Sequence, residues 1–205
     1  MKHHRVPQNS PEWHALRCGI PTASCFGKIL TSRGEPSSQA EDYRALLLGE
    51  RMTGQPSASF VSLAMEDGVK REAPAASYYA LLSDEPVELA GVFTDDAVRY
   101  GASPDRLVGE RGVLEIKCPQ ESTHIKNLAR DCIPAIYFPQ VQGQMFLAER
   151  EWCDWMSDHP DHEPAIIRVE RDDAWIAKLE RALDEFCDRL DEEENTALLN
   201  QERSL

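Results

Sequence analysis

Inside residues 113–118, the stretch Leu114-Glu115-Ile116-Lys117 alternates apolar and charged side chains. A strand sends successive side chains to opposite faces, so Leu114 and Ile116 enter a core while Glu115 and Lys117 stand together on the other face. A helix would scatter these four around its axis. Upstream, Ser103-Pro104-Asp105 starts a hairpin that returns to this strand. Asp105 faces Glu115 only if paired residue numbers sum to 220, a register with a five-residue loop from Val108 to Gly112. A tight four-residue loop would oppose Asp105 to Ile116. The expectation is therefore a bulge or wide turn at 109–112, where two glycines make one cheap.

Before this segment the periodicity is helical. Ser10-Pro11 reads as an N-cap followed by proline at the first helical position, and Thr22-Ala23-Ser24 as the opening of a second helix ending near Leu30. Apolar spacing predicts helices at about 39–53, stopped by Gly54, and at about 59–82, with Val61, Tyr79 and Ala80 on the pattern. From Val87 to Cys118 short β-branched runs predict an antiparallel meander of strands at 87–94, 98–103 and 113–118. Helices near 121–130 and 134–148, strands near 152–157 and 165–170, and an amphipathic helix from Asp172 to about Asp191 complete the chain. The order gives one domain over 1–205, of α/β or α+β class, with a central mixed sheet flanked by helices.

The formal charge of −14 opposes a simple nucleic-acid-binding module, because phosphate contacts need Lys and Arg. The charge is uneven: +2 over 1–55, −5 over 56–148 and −11 over 149–205. The acidic last quarter reads as a solvated helix face, and a local basic strip with metals could still hold DNA. Six cysteines without a Cys-x-x-Cys pair give no support to zinc or an iron-sulfur cluster and fit reduced thiols. No apolar run reaches the roughly 20 residues that cross a bilayer, so a cytoplasmic protein is expected.

Two carboxylates held close repel unless a cation lies between them, and a small set of hard oxygen ligands selects Mg²⁺, which keeps waters for chemistry. An ammonium at Lys117 can orient or help deprotonate such a water, while the metal neutralises charge on a phosphorus under attack. Glu72, on a helix before the sheet, is the best-placed further carboxylate.

Ser103-Pro104-Asp105 with Leu114-Glu115-Ile116-Lys117 resembles the PD-(D/E)xK nuclease superfamily and, within it, the phage lambda exonuclease type of viral recombination nuclease. Trp13 to Arg17, Gly19 to Ser24, Gly68 to Glu72 and Tyr137 to Gln142 extend the likeness over about residues 8–190. The resemblance implies a restriction-endonuclease-like fold and a Mg²⁺-dependent 5′ to 3′ exonuclease, with Mn²⁺ as a substitute. Such an enzyme degrades one strand of linear double-stranded DNA processively, leaving a 3′ overhang for a single-strand annealing protein. It also implies a ring-shaped homotrimer working in a phage-infected bacterial cell. Carried over by position, Asp105, Glu115, the Ile116 carbonyl and Glu72 would hold metal, and Lys117 would act on the attacking water. Arg17, Ser24 and Gln140 would hold the 5′ phosphate and support the site. The superfamily's Gln-x-x-x-Tyr pattern is absent: Gln140 is followed by Gln144, and Gln142 by Phe146. A related endonuclease and a catalytically silent DNA-end-binding protein remain as alternatives. Trp13 is read as a core anchor, Trp152, Trp155, Trp175 and Phe186 as core, Cys118 as a small buried hydrophobe, and His3, His4 and His124 as surface residues.

Overall fold

The computed structural model describes residues 1–57 and 63–203. Helix α1 (Pro11–Arg17) begins as expected: Ser10 caps it, accepting from the Trp13 N–H at 3.2 Å, and Pro11 stands in the first turn. The Thr22-Ala23-Ser24 segment opens a 3-10 helix, Ala23–Lys28, instead of an α-helix. Helix α2 (Ala40–Thr53) ends at Gly54 in the left-handed conformation, and helix α3 (Leu63–Leu82) follows. The beginning expected for α3 near residue 59, with Val61, lies outside the described residues.

The strands are β1 (Lys2–His4), β2 (Val87–Leu89), β3 (Val92–Thr94), β4 (Gly101–Ala102), β5 (Arg106–Val108), β6 (Gly112–Lys117), β7 (Trp152–His159) and β8 (His162–Glu170). They form a five-stranded mixed sheet, β2-β5-β6-β7-β8, and a three-stranded sheet, β1-β3-β4. Only β6 and β7 run parallel in the larger sheet. Their crossover carries α4 (Glu121–Leu128) and α5 (Phe138–Ala148), and α6 (Asp173–Glu202) closes the chain.

The single meander expected over 87–118 is instead shared between the two sheets. The cause is Gly91, at φ +73, where a Cβ would fall 2.4 Å from the His4 carbonyl oxygen. The chain turns there and passes β3 to β1, a strand that no sequence pattern announced. The hairpin register is the one expected: Arg106 pairs with Leu114, Leu107 with Val113 and Val108 with Gly112, each summing to 220. The turn is tighter than expected, because Val108 and Gly112 themselves pair and leave only residues 109–111 outside the ladder. Gly109 adopts φ +53 in that turn.

Strand β6 is buried on both faces. Leu114 and Ile116 pack with Val108, Met156 and the α3 residues Ala75, Ala76 and Tyr79. On the other face Val113 joins the main core with Trp155, Met145 of α5, and Leu179, Leu183 and Phe186 of α6. Trp152, Trp155, Trp175 and Phe186 are all buried, as expected.

The acidic face of α6 is more than a solvated surface, and the helix runs to Glu202, past the end expected near Asp191. Arg44 pairs with Glu193 at 2.7 Å, Arg51 with Asp191 and Glu194 at 2.6 and 2.9 Å, and Arg99 with Asp188 at 2.5 Å. Arginines of the first half thus pair with part of the charge of the last quarter.

Candidate active site

The Glu115 side chain leaves β6 toward α5 and is 3 % exposed. A carboxylate taken so far from water needs donors, and it has three. Lys117 Nζ and Gln140 Nε2 donate to Oε1, and Gln144 Nε2 donates to Oε2 at 2.6 Å. Gln140 and Gln144 are one turn apart on α5 and so share its face. Asp105 continues the hairpin one pair past β5: its N–H donates to the Leu114 carbonyl at 3.1 Å, while its Oδ2 accepts from the Ile116 N–H at 2.6 Å. These bonds hold Asp105 against β6, within electrostatic reach of Glu115.

The electrostatics follow from this crowding. Burial pushes the Asp105 carboxyl well above the usual aspartate range; Glu115 and Glu72 push it further, and Lys117 and the Ile116 N–H pull it back. Glu72, half-buried on α3, is raised by burial and then by Glu115, against the pull of Lys117 and Arg106. Burial alone would lower Lys117, but Glu115 and Asp105 outweigh it and hold the ammonium above its ordinary value. Lys117 is thus a cation and donor in this state. Its Nζ lies 5.1 Å from the centre of the Tyr137 ring.

A second group lies within electrostatic reach of Glu115. The Arg17 guanidinium stacks 4.0 Å above the Trp13 ring and has no ion-pair partner among the described residues. Burial lowers its pKa, an effect partly offset by Tyr43, Cys25 and Glu115. Ser24 is exposed, with Oγ 3.3 Å from Thr22 Oγ1. Its 3-10 helix packs on α5 through Ala23 and Phe26, against Gly143. The Tyr43 hydroxyl accepts from the Thr22 N–H at 3.2 Å, and Lys28 Nζ lies 5.1 Å from the Tyr43 ring centre.

Of the expected site residues, Lys117 and Gln140 hydrogen-bond to Glu115, Asp105, Glu72 and Arg17 lie within its electrostatic reach, and Ser24 sits on a neighbouring element. Gln140 contacts Glu115. Gln144 went unassigned in the sequence, although its spacing of four from Gln140 was the available signal. Trp13 is half-buried and not a core anchor: its Nε1–H donates to Ser103 Oγ at 2.9 Å. Cys118 is half-buried, its thiol pushed up to about 12 by burial. His124 is not a surface residue. It is fully buried, with Nε2 3.0 Å from the Glu163 carbonyl and Nδ1 3.0 Å from Ser157 Oγ. Because a carbonyl only accepts, Nε2 carries a proton and donates it to Glu163. His3 and His4 also have partners, the Ala90 carbonyl at 2.6 Å and Thr94 Oγ1 at 3.0 Å.

The donor set fits a hard divalent cation. Glu115 raises both Asp105 and Glu72, and Glu72 also raises Asp105, against the opposing charges of Lys117 and, at Glu72, Arg106. Among the described residues no three His, Cys, Asp or Glu side chains already stand at ligand spacing. The fit is thus to an ion held by few carboxylates, with carbonyl oxygen and water completing it.

A family comparison decides the relationship. The YqaJ-like viral recombinase domain matches residues 12–151. The chain belongs to the YqaJ-like viral recombinase domain family. Among solved structures, the alkaline exonuclease LHK-Exo from Laribacter hongkongensis is 31% identical to this YqaJ-like chain, covers 96% of it and 100% of its own length, and superposes with a TM-score of 0.86. The same enzyme in complex with dAMP gives the same values. A phage-related exonuclease from Haemophilus somnus 129PT, at 15% identity and TM-score 0.66, covers 85% of this chain and 96% of its own and shares the fold. No curated protein matches the chain. The expected α+β class is therefore the fold of an exonuclease. Among the described residues no helix is long and apolar enough to cross a membrane.

Proposed function

We propose that this YqaJ-like protein is a Mg²⁺-dependent 5′ to 3′ exonuclease acting on linear double-stranded DNA. The reading rests on one observation above the others: a partly buried guanidinium at Arg17, without an ion-pair partner among the described residues, lies within electrostatic reach of Glu115. An arginine edge recognises phosphate through a planar fork, and beside a hydrolytic centre it selects the bond next to a captured end. Ser24 and Lys28 add a hydroxyl and a second cation on the adjoining 3-10 helix.

Asp105, Glu115, Glu72 and the Ile116 carbonyl are the residues that would hold Mg²⁺, with Mn²⁺ as a substitute. Bound there, the ion supplies an activated water and neutralises charge developing on the phosphoryl group. The protein's own part is orientation. Gln140 and Gln144 aim the Glu115 carboxylate, the Ile116 N–H aims Asp105, and Lys117, a protonated donor in this state, orients the attacking water and stabilises developing negative charge. Processive release of nucleotides from the 5′ end leaves a 3′ single strand, the substrate for a single-strand annealing protein. A homotrimeric ring around the duplex in the cytoplasm of a bacterial host is the assembly that accompanies this reading.

The test is digestion of a linear duplex labelled at either end, with and without 5′ phosphate and with and without Mg²⁺, beside a closed circle. Release from the 5′ end only, dependent on Mg²⁺ and faster with 5′ phosphate, supports the reading. Rapid cutting of the circle points to an endonuclease, and end retention without hydrolysis to a silent DNA-end-binding protein. Lys117→Ala should keep duplex binding and lose nucleotide release.

A further inference from the structure

Helix α1 carries Arg17 yet has no buried residue of its own, so no core side chain fixes its position. What holds it is the indole of Trp13. Its Nε1–H donates to Ser103 Oγ at 2.9 Å, and the Ser103 hydroxyl donates in turn to the Gly91 carbonyl at 2.8 Å. With its proton committed to Gly91, Ser103 offers the indole a lone pair, and the direction of both bonds is fixed. Ser103 is two residues before Asp105, whose backbone is hydrogen-bonded into β6. Trp13 and Arg17 are four apart on α1, and the guanidinium stacks over the indole at 4.0 Å.

Stacking engages the face of a guanidinium and leaves its edge donors free, whereas a carboxylate partner would occupy the same edge that a phosphate needs. A ring partner therefore orients Arg17 without competing for its ligand. We propose that Trp13 is a positioning residue for terminal-phosphate selection: it fixes the plane of Arg17 and, through Ser103, its place relative to the strand segment bearing Asp105. This rests on the reading of Arg17 as the phosphate anchor.

The experiment compares steady-state kinetics on linear duplexes ending in 5′ phosphate or 5′ hydroxyl for the parent protein, Arg17→Ala, Trp13→Leu, Trp13→Phe and Ser103→Ala. Trp13→Leu should raise KM on phosphorylated ends about tenfold, equivalent to about 1.4 kcal/mol, with kcat and the hydroxyl-end rate unchanged. Trp13→Phe and Ser103→Ala, which keep the ring and the fold respectively, should move KM in the same direction by less. If Arg17→Ala abolishes phosphate preference while all three of the other variants retain it, the positioning role of Trp13 is overturned and the anchor stands. Equal losses on both ends also overturn it, since that is the mark of a general structural defect. Should Arg17→Ala itself keep the preference, the anchor reading fails, and the role of Trp13 fails with it.

Discussion

Gln144 Nε2 donates to Glu115 Oε2 at 2.6 Å, while Gln144 Oε1 is buried without a hydrogen-bond partner among the described residues. The glutamine thus orients the carboxylate at a cost to the fold, since a buried acceptor left unsatisfied is worth about 1–3 kcal/mol.

Gln144→Met, similar in volume, removes both the useful donor and the orphaned acceptor. Thermal stability should fall, because the buried Oε2 of Glu115 loses its donor, by about 1–3 kcal/mol less what removal of the orphaned acceptor returns, and nucleotide release should fall by about tenfold. Melting curves and initial rates over a Mg²⁺ series measure the two. A variant that loses stability and keeps its rate would show that the amide serves packing alone.

Asp105 and Glu72 titrate higher in the fold than in an unfolded chain. The native state then binds the extra protons, so this contribution to stability is complete below the unfolded value near 3.8 for the aspartate and is lost as pH rises through the folded one. In metal-free protein at about pH 8, Asp105→Asn should therefore melt above the parent, and the gap should close toward about pH 4. Mg²⁺ should raise the parent's melting temperature at the higher pH and leave the variant nearly unmoved. A parent that melts above Asp105→Asn without metal at about pH 8 would contradict the crowding of carboxylates described above.

At Gly143 of α5 a Cβ would meet the Phe26 ring at 2.4 Å, and Phe26 is wholly buried. Gly143→Ala must push α5 away from the 3-10 helix, separating the element that bears Gln140 and Gln144 from the one that bears Ser24. We expect about 1–3 kcal/mol of destabilisation, as overpacking in a dense core costs, read from urea midpoints, together with reduced activity at permissive temperature.

Arg51 donates to the Gly19 carbonyl at 2.8 Å as well as to Asp191 and Glu194. Arg51→Met leaves that carbonyl and two carboxylates without this partner, and about 1–3 kcal/mol of stability should be lost. The deficit should shrink in high salt without vanishing, because the arginine is mostly shielded from solvent.

The chemical centre was readable because a strand's twofold alternation ties residue identity directly to face. Glu115 and Lys117 on one side, Leu114 and Ile116 on the other, and the hairpin register that brings Asp105 back to this strand all follow from that geometry and one turn. Features set by distant contacts were not readable. Gln144 matters only because α5 crosses above Glu115. His124 is buried only because its helix packs on β7 and β8. The division of 87–94 into two strands depends on how close the His4 carbonyl comes to Gly91. Trp13 misled for another reason: an aromatic on an amphipathic turn has the same local pattern whether it enters a core or lies beneath an arginine.

The turn at residues 109–111 can change its composition far more freely than its length. Because pairs across the hairpin sum to 220, one inserted or deleted residue there would set Asp105 against a neighbour of Glu115 and send its side chain through the sheet toward Ala75 and Tyr79. Every residue of the candidate site would still be present in such a chain, in the same order and with the same motifs, and the arrangement would be broken. Three turn residues outside the candidate site keep count for a carboxylate within it.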